Sequence, residues 1–386
     1  MQVNGGGRTI VSVSSISSDT QRISLSIRGR EIFYELSEFI DPSCDFALWA
    51  ALPIAMRFGG ELQIDGATSP IAREKAELLS VIWSAWMPKT FQPVKVVSNG
   101  FIDVKPPPAA TNKALMLYSG GVDSTFALKR YVEEGNPKPD LLTIHGMDYK
   151  REDFERFEAL KKRTSRFREK YSERNVEVRS NAASIMRRFG ISSSIGHGFQ
   201  LFSTLFLFDS TYSAGLISAD HPASQDYLTL PWGTNCLTNP MFQGCRMHID
   251  TLSSDVTRGE KLRQLIDDRL ALETLSFCKN YSVRPDNCGT CSKCVRTKAM
   301  FHAAGLGMPN IFLISGFDPN DLRFLDMQKP SEVAYSLDVL DLARASGRLD
   351  DFKIISDKLF SKKKQTRIGR LKTKAEAYLR GKKANG

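Results

Sequence analysis

The chain has 386 residues, 41% apolar and 25% charged, close to globular averages, which excludes wholesale disorder, collagen and a coiled-coil rod. At roughly 150 residues per domain, this length predicts two domains plus an appendage. The formal net charge of +10 suggests a nucleic-acid partner, but residues 361–386 hold ten Lys and Arg against one acid, leaving 43 basic and 42 acidic residues elsewhere. The body is nearly neutral and the basicity is mostly a tail.

Residues 9–14 and 22–27 alternate apolar and polar side chains as half-buried strands do, and 31–36 can pair with them. A helix is predicted over 45–58, stopped by Gly59-Gly60, with Pro53 expected to kink or split it. A short strand at 61–64 precedes a long amphipathic helix to Trp86, with Ser69 as N-cap and Pro70 at its first position. A strand at 94–97 closes this unit. Residues 105–112, rich in proline, read as a stiff linker. Beyond it the character changes. Residues 114–118 form a continuous apolar run, expected of a strand buried on both faces of a parallel sheet. Helices at 125–134, 153–174 and 198–209 then alternate with strands at 140–146, 176–179 and 214–218. This alternation predicts an α/β fold with a doubly wound parallel sheet. Residues 150–188 carry 13 basic and 7 acidic side chains, whose interleaved signs predict an exposed, salt-bridged helix. Residues 331–359 are helical by pattern.

No window of about 18 apolar residues exists to span a membrane, and the N-terminus lacks the apolar core of a secretory signal. Seven cysteines, four of them clustered within 278–294, predict a metal site in a reducing cytosol and not a disulfide framework. The expected location is cytoplasmic.

The most informative segment is Tyr118-Ser119-Gly120-Gly121-Val122-Asp123-Ser124-Thr125, where a buried strand ends, two glycines turn the chain and a helix starts. Such a turn aims backbone N–H groups and the positive end of a helix dipole at one spot, which suits phosphate. A Cβ at the glycines would block backbone approach to the anion. Ser119, Ser124 and Thr125 add hydroxyls, and Asp123 would repel phosphate unless it bridges through Mg²⁺. The Walker spacing is absent. The bland reading is an ordinary Gly-Gly turn capped by Asp123. Ser-Gly-Gly-Val-Asp-Ser after a buried strand resembles the PP-loop of the ATP pyrophosphatase superfamily, whose members split ATP between the α and β phosphates and form an adenylate. The resemblance implies that Ser119, Gly120, Gly121, Val122, Asp123 and Ser124 bind ATP and its Mg²⁺, with His145 and Met147, at the end of the second strand, beside the nucleoside.

Cys278, Cys288, Cys291 and Cys294 supply four thiolates at spacings that close a tetrahedral site, for which Zn²⁺ is the expected ion and an iron–sulfur cluster the rival. Cys44, Cys236 and Cys245 read as core or loop thiols. A PP-loop followed by this cysteine pattern is similar to 7-cyano-7-deazaguanine synthase. In that family ATP activates a deazapurine carboxylate, which ammonia then attacks. The likeness covers residues 112–306. It implies a ligase that forms a C–N bond, with Asp123 and Ser124 catalytic and Asp220, His221 and Asp226 at the substrate; Lys261 is a further catalytic candidate and Arg258 a further substrate-binding one. Enlarged relatives occur in anti-phage defence operons, where the acceptor is thought to be a protein amine. The expected units are an N-terminal α+β domain (1–104), an ATP-binding domain (112–265), a zinc module (266–306) and a helical C-terminal region (307–386).

Arg258 and Lys261 lie at i, i+3 at a predicted helix start, where cations oppose the dipole and an anionic ligand would offset the cost. The alternative is a surface charge run paired with Glu260. His197-Gly198 opens the apolar helix, either to meet phosphate or as a satisfied core histidine, and His221 is a candidate acid–base group. The N-terminal domain would serve a larger acceptor or a homodimer. The tail has one aromatic residue, Tyr378, so base stacking with nucleic acid is not favoured. The rival class is a tRNA-modifying PP-loop enzyme that adenylates a nucleobase.

Overall fold

The computed structural model describes residues 7–17, 21–102 and 113–360. The expected linker over 105–112 and the basic tail at 361–386 lie outside the described residues. Strands β1 (Arg8–Ser17), β2 (Gln21–Ile27) and β3 (Arg30–Leu36) form an antiparallel meander. Helix α1 (Asp45–Met56) follows, then β4 (Gly60–Thr68), α2 (Pro70–Trp86) and β5 (Val94–Phe101). Strand β4 lies parallel to both β1 and β5. Contrary to expectation, Pro53 does not split α1. All twelve of its residues are buried, so packing holds the turn that proline deprives of one hydrogen bond.

The second half alternates as the pattern predicts: β6 (Ala114–Leu117), α3 (Val122–Glu133), β7 (Asp140–His145), α4 (Phe154–Tyr171), β8 (Asn175–Ser180), α5 (Ala182–Arg188), α6 (Ser193–Phe206) and β9 (Ala214–Ser218). Helix α7 (Ala223–Thr229) and strand β10 (His248–Leu252) complete the sheet layer. Helix α4 is laced with ion pairs, among them Lys161 with Glu158 and Glu177 at 2.7 and 2.9 Å. Helix α6 begins five residues before the predicted start, with Ser192 at the N-cap position and no side-chain capping. His197 therefore sits within the helix and does not open it.

Among the described residues ten strands form one sheet, ordered β10-β9-β6-β7-β8-β3-β2-β1-β4-β5. The N-terminal unit is joined to the rest through antiparallel β3–β8 pairing, with Tyr34 opposite Ser180 and Leu36 opposite Val178. The five strands from β10 to β8 are parallel. Helices cover both faces of this half. Leu115 and Leu117 of β6 face the core that holds α1 and α6, whereas Met116 and Tyr118 face one that holds Phe126 of α3 and Phe167 of α4. The first core crosses the β3–β8 seam: Trp49 packs on Phe242 at 4.9 Å and Trp83 on Phe199 at 5.9 Å between ring centroids. Helices α8 (Arg258–Leu265), α9 (Arg269–Thr274), α10 (Ser292–Ala303), α11 (Pro330–Ala345) and α12 (Lys353–Phe360) follow. Most of them pack around a further core that includes Val122, Leu262, Phe301 and Val339. No helix among the described residues is long and apolar enough to cross a membrane.

The same seam buries two carboxylates. Asp45 accepts hydrogen bonds from the backbone N–H (2.7 Å) and hydroxyl of Ser69, and Asp209 accepts from the N–H (3.0 Å) and hydroxyl of Ser43. Ser69 thus spends its hydroxyl on Asp45 and not on capping α2. Burial pushes Asp45 from its ordinary 3.8 up to about 7. Between these values the folded chain keeps a proton that the unfolded chain has lost, so stability falls as pH rises through that window. Asp45→Asn is expected to flatten this dependence in denaturant titrations from pH 4 to 8. An unchanged slope would contradict the assignment.

Candidate functional site

Strand β6 has β9 on one side and β7 on the other, so the strand order reverses there and a crevice opens at the carboxyl ends. The Ser119–Gly121 turn lies at this point. Gly120 adopts φ +71°, and its carbonyl accepts the N–H of Ser276 at 2.8 Å. A Cβ on Gly120 would press within 3.0 Å of Thr164 and 3.2 Å of Leu160, so glycine is required by both conformation and space. Gly121 takes the N-cap position of α3 without side-chain capping, leaving the first N–H groups of the helix without an intrahelical acceptor. Ser119 Oγ and Ser124 Oγ lie 3.3 Å apart above them. Val122 is fully buried in the α10–α11 core, so only its backbone is available to a ligand.

Asp123 does not stand alone. Its Oδ2 lies 3.1 Å from Arg258 Nη1 and its Oδ1 lies 3.1 Å from Lys261 Nζ. All three residues are at least nine-tenths buried. Lys261 also donates to the Ala219 carbonyl at 2.6 Å. Arg258 and Lys261 are therefore not a surface run. Glu260 pairs with Arg263 instead. Two cations on one carboxylate leave this corner net positive, so the head of α3 can accept an anion even without a bridging Mg²⁺. Helix α11 backs the corner. Asp338 Oδ2 accepts the Gly259 N–H at 2.7 Å, and the Tyr335 ring carries Arg296 at 3.7 Å, Arg258 at 5.5 Å and the tilted His221 ring at 4.4 Å.

These groups border a cleft of about 990 Å³, lined by Ser119, Gly121, Asp123, Ser124, Met147, Asp220 and Arg258 among others. Asp220 Oδ2 accepts from Trp232 Nε1 at 2.9 Å and Thr234 Oγ1 at 3.0 Å. Burial opposes its ionisation, but His197 and Trp232 outweigh burial and hold the carboxyl well below its usual range. His197 lines the same wall, with Nε2 3.0 Å from Thr234 Oγ1.

Of the expected residues, Gly120, Val122 and Lys261 lie buried behind the cleft wall, and His145, His221 and Asp226 turn away from it. His145 turns away from the cleft that Thr143, Ile144 and Gly146 line, toward α4. There it stacks on Phe157 at 4.2 Å, with Nε2 2.9 Å from the Lys150 carbonyl. Asp226 turns inward to accept the Cys236 N–H at 2.7 Å, and burial raises its pKa to about 6. His221 is 1% exposed behind the wall, and burial lowers its pKa to about 4. It is a neutral packing partner of Tyr335 at pH 7, not an acid–base group open to the cleft.

The four clustered cysteines converge. Their Sγ atoms all lie within 4.8 Å of one another, with Cys278–Cys291 at 3.8 Å, Cys288–Cys294 at 3.9 Å and Cys291–Cys294 at 3.5 Å. Tetrahedral bonds of about 2.3 Å to one ion place sulfurs roughly 3.8 Å apart, so the cluster is compatible with a single zinc. Backbone N–H groups of Asn280, Thr290 and Cys291 point at the sulfurs from 3.3–3.4 Å and favour thiolates. Gly289, at φ +85°, permits the knuckle, since a Cβ there would meet the Ile314 carbonyl at 2.1 Å. Cys44, Cys236 and Cys245 are free thiols outside this cluster.

Sequence reasoning missed Trp232, Arg284, Lys293, Arg296, Glu332 and Tyr335, all on the cleft. Lys293 and Arg296 share the i, i+3 spacing of Arg258 and Lys261 and carried a signal. Tyr335 carried none. None of the protein-family models, curated proteins or solved structures compared with the chain matches it. The purified chain is expected to contain one equivalent of zinc by elemental analysis. Cys291→Ser should lose it and lower the thermal midpoint by roughly 5 °C or more. A metal-free wild-type chain with the variant's midpoint would contradict the assignment.

Proposed function

We propose that this protein is an ATP-dependent ligase of PP-loop type that adenylates a carboxylate on a 7-deazaguanine-like substrate and passes the acyl group to an amine. The observation that carries this reading is the Ser119–Ser124 turn at the strand-order reversal, opening on a large cleft beside Arg258 and Lys261. N–H groups at the head of α3 and the Ser119 and Ser124 hydroxyls cradle the β and γ phosphates. Arg258 takes up charge on the departing pyrophosphate, with Lys261 behind it holding Asp123 in place. Mg²⁺, held by Asp123, would screen the phosphates. A carboxylate oxygen attacks the α-phosphorus, and the bond to the β-phosphate oxygen breaks. An amine then attacks the acyl carbon, AMP leaves, and an amide forms. Asp220, with its pairing fixed by Trp232 and Thr234, offers an acceptor to N–H groups of the heterocycle. The amine is ammonia or a protein amine, the latter suited to a role in anti-phage defence.

Incubation with Mg·ATP, ammonia and 7-carboxy-7-deazaguanine is expected to release AMP and pyrophosphate and to yield an amidated product or a mass shift on a protein. ATP consumption unaffected by the carboxylate would sink the reading. Asp123→Asn keeps the volume and should lower kcat at least about a hundredfold while circular dichroism stays unchanged.

A further inference from the structure

Part of the cleft wall is built by the cysteine knuckle. Lys293 lies between the ligand-spaced Cys291 and Cys294, in the first turn of α10, and Arg296 follows one turn later on the same face. Both line the cleft, as do Arg284 and Arg258. Arg284 is held by the Cys278 carbonyl at 2.5 Å and by the Asp148 carbonyl. Arg296 is held by Glu332 at 2.9 Å and by the Tyr335 ring. Lys293 is different: among the described residues its ammonium has no hydrogen bond and no ion pair. Its electrostatic neighbours are Asp148 and three arginines, Arg258, Arg284 and Arg296.

The cations along this wall are unevenly paired. Arg258 and Lys261 meet Asp123, Arg296 meets Glu332, and Asp148 and Asp220 lie nearby, whereas Lys293 has no carboxylate within ion-pair distance. Buried polar atoms without partners gather at the same place: Nε of Arg258, Nε of Arg296 and Oε2 of Glu332. Buried polar groups are nearly always paired, and uncompensated cations in a cleft are costly unless an anion joins them. A second oxyanion, beyond the one at the head of α3, would supply that charge.

We propose that Lys293, carried on the cysteine knuckle with Arg296 beside it, binds an oxyanion at this wall, so that the knuckle builds part of the ligand site as well as the fold. The oxyanion is either the end of the nucleotide's phosphate tail or the carboxylate of the substrate. Only this choice of sources rests on the function proposed above.

The test uses the full metal-loaded chain. Pyrophosphate, 7-carboxy-7-deazaguanine and adenosine are titrated separately by calorimetry into wild type, Lys293→Gln and Lys293→Arg, with equal metal content checked in each. A lost charge-assisted hydrogen bond weakens binding by about tenfold or more. Lys293→Gln is therefore expected to weaken one anion by about that factor, Lys293→Arg to restore it, and adenosine to stay unchanged. A loss for pyrophosphate assigns the phosphate tail, and a loss for the deazaguanine assigns the substrate carboxylate. Equal affinities of wild type and Lys293→Gln for both anions, or no anion binding by wild type, would overturn the inference. Pyrophosphate binding that depends on Lys293, in a chain that never turns over ATP, would instead defeat the ligase reading and leave this one standing.

Discussion

The buried contact of Asp123 with Arg258 and Lys261 is the constraint on which the site depends. Removing three charges from water costs several kcal/mol per ion unless their geometry is tightly held, and four separate segments combine to hold it. The turn after β6 delivers Asp123, and the first turn of α8 delivers both cations. The Ala219 carbonyl after β9 fixes Lys261, and α11 fixes α8 through Asp338 and Gly259. The helices beyond β10 are therefore not an appendage. They close the corner against which any anion at the head of α3 must bind.

Charge in this molecule is partitioned by place. The basic residues at 361–386 account for most of the net charge, but the positive excess that matters chemically is small and internal. It lies where α8, α10 and α11 meet the carboxyl ends of β6 and β9. In a confined cleft of low dielectric, one or two unbalanced cations act more strongly on a ligand than many on a solvated surface. Tyr335 makes this arrangement tolerable by offering its ring to two guanidinium groups, an attraction that survives desolvation.

Local features were legible in the sequence. The continuous apolar run of β6, the glycine turn, the start of α3 and the four-cysteine cluster all depend on residues close together in the chain. Strand β9 falls on the predicted residues. Where the reading failed, the deciding contact was distant. The β3–β8 pairing joins residues about 145 apart and makes one sheet of the two units. Arg258 meets Tyr335 across 77 residues, and no motif marks that tyrosine. The orientation of His145 is set by its stacking on Phe157 of α4, which no local motif marks. The early start of α6 was not legible, because Ser192 makes no side-chain cap and the apolar run begins only at Gly198.

The central claim is that the glycine turn and its flanking cations handle a bond broken between the α and β phosphates. Exchange of radiolabelled pyrophosphate into ATP measures this directly, because label enters ATP only if adenylate formation is reversible on the protein. The account predicts exchange that requires Mg²⁺ and 7-carboxy-7-deazaguanine and proceeds without any amine. Absence of exchange, together with release of ADP and orthophosphate, would contradict it.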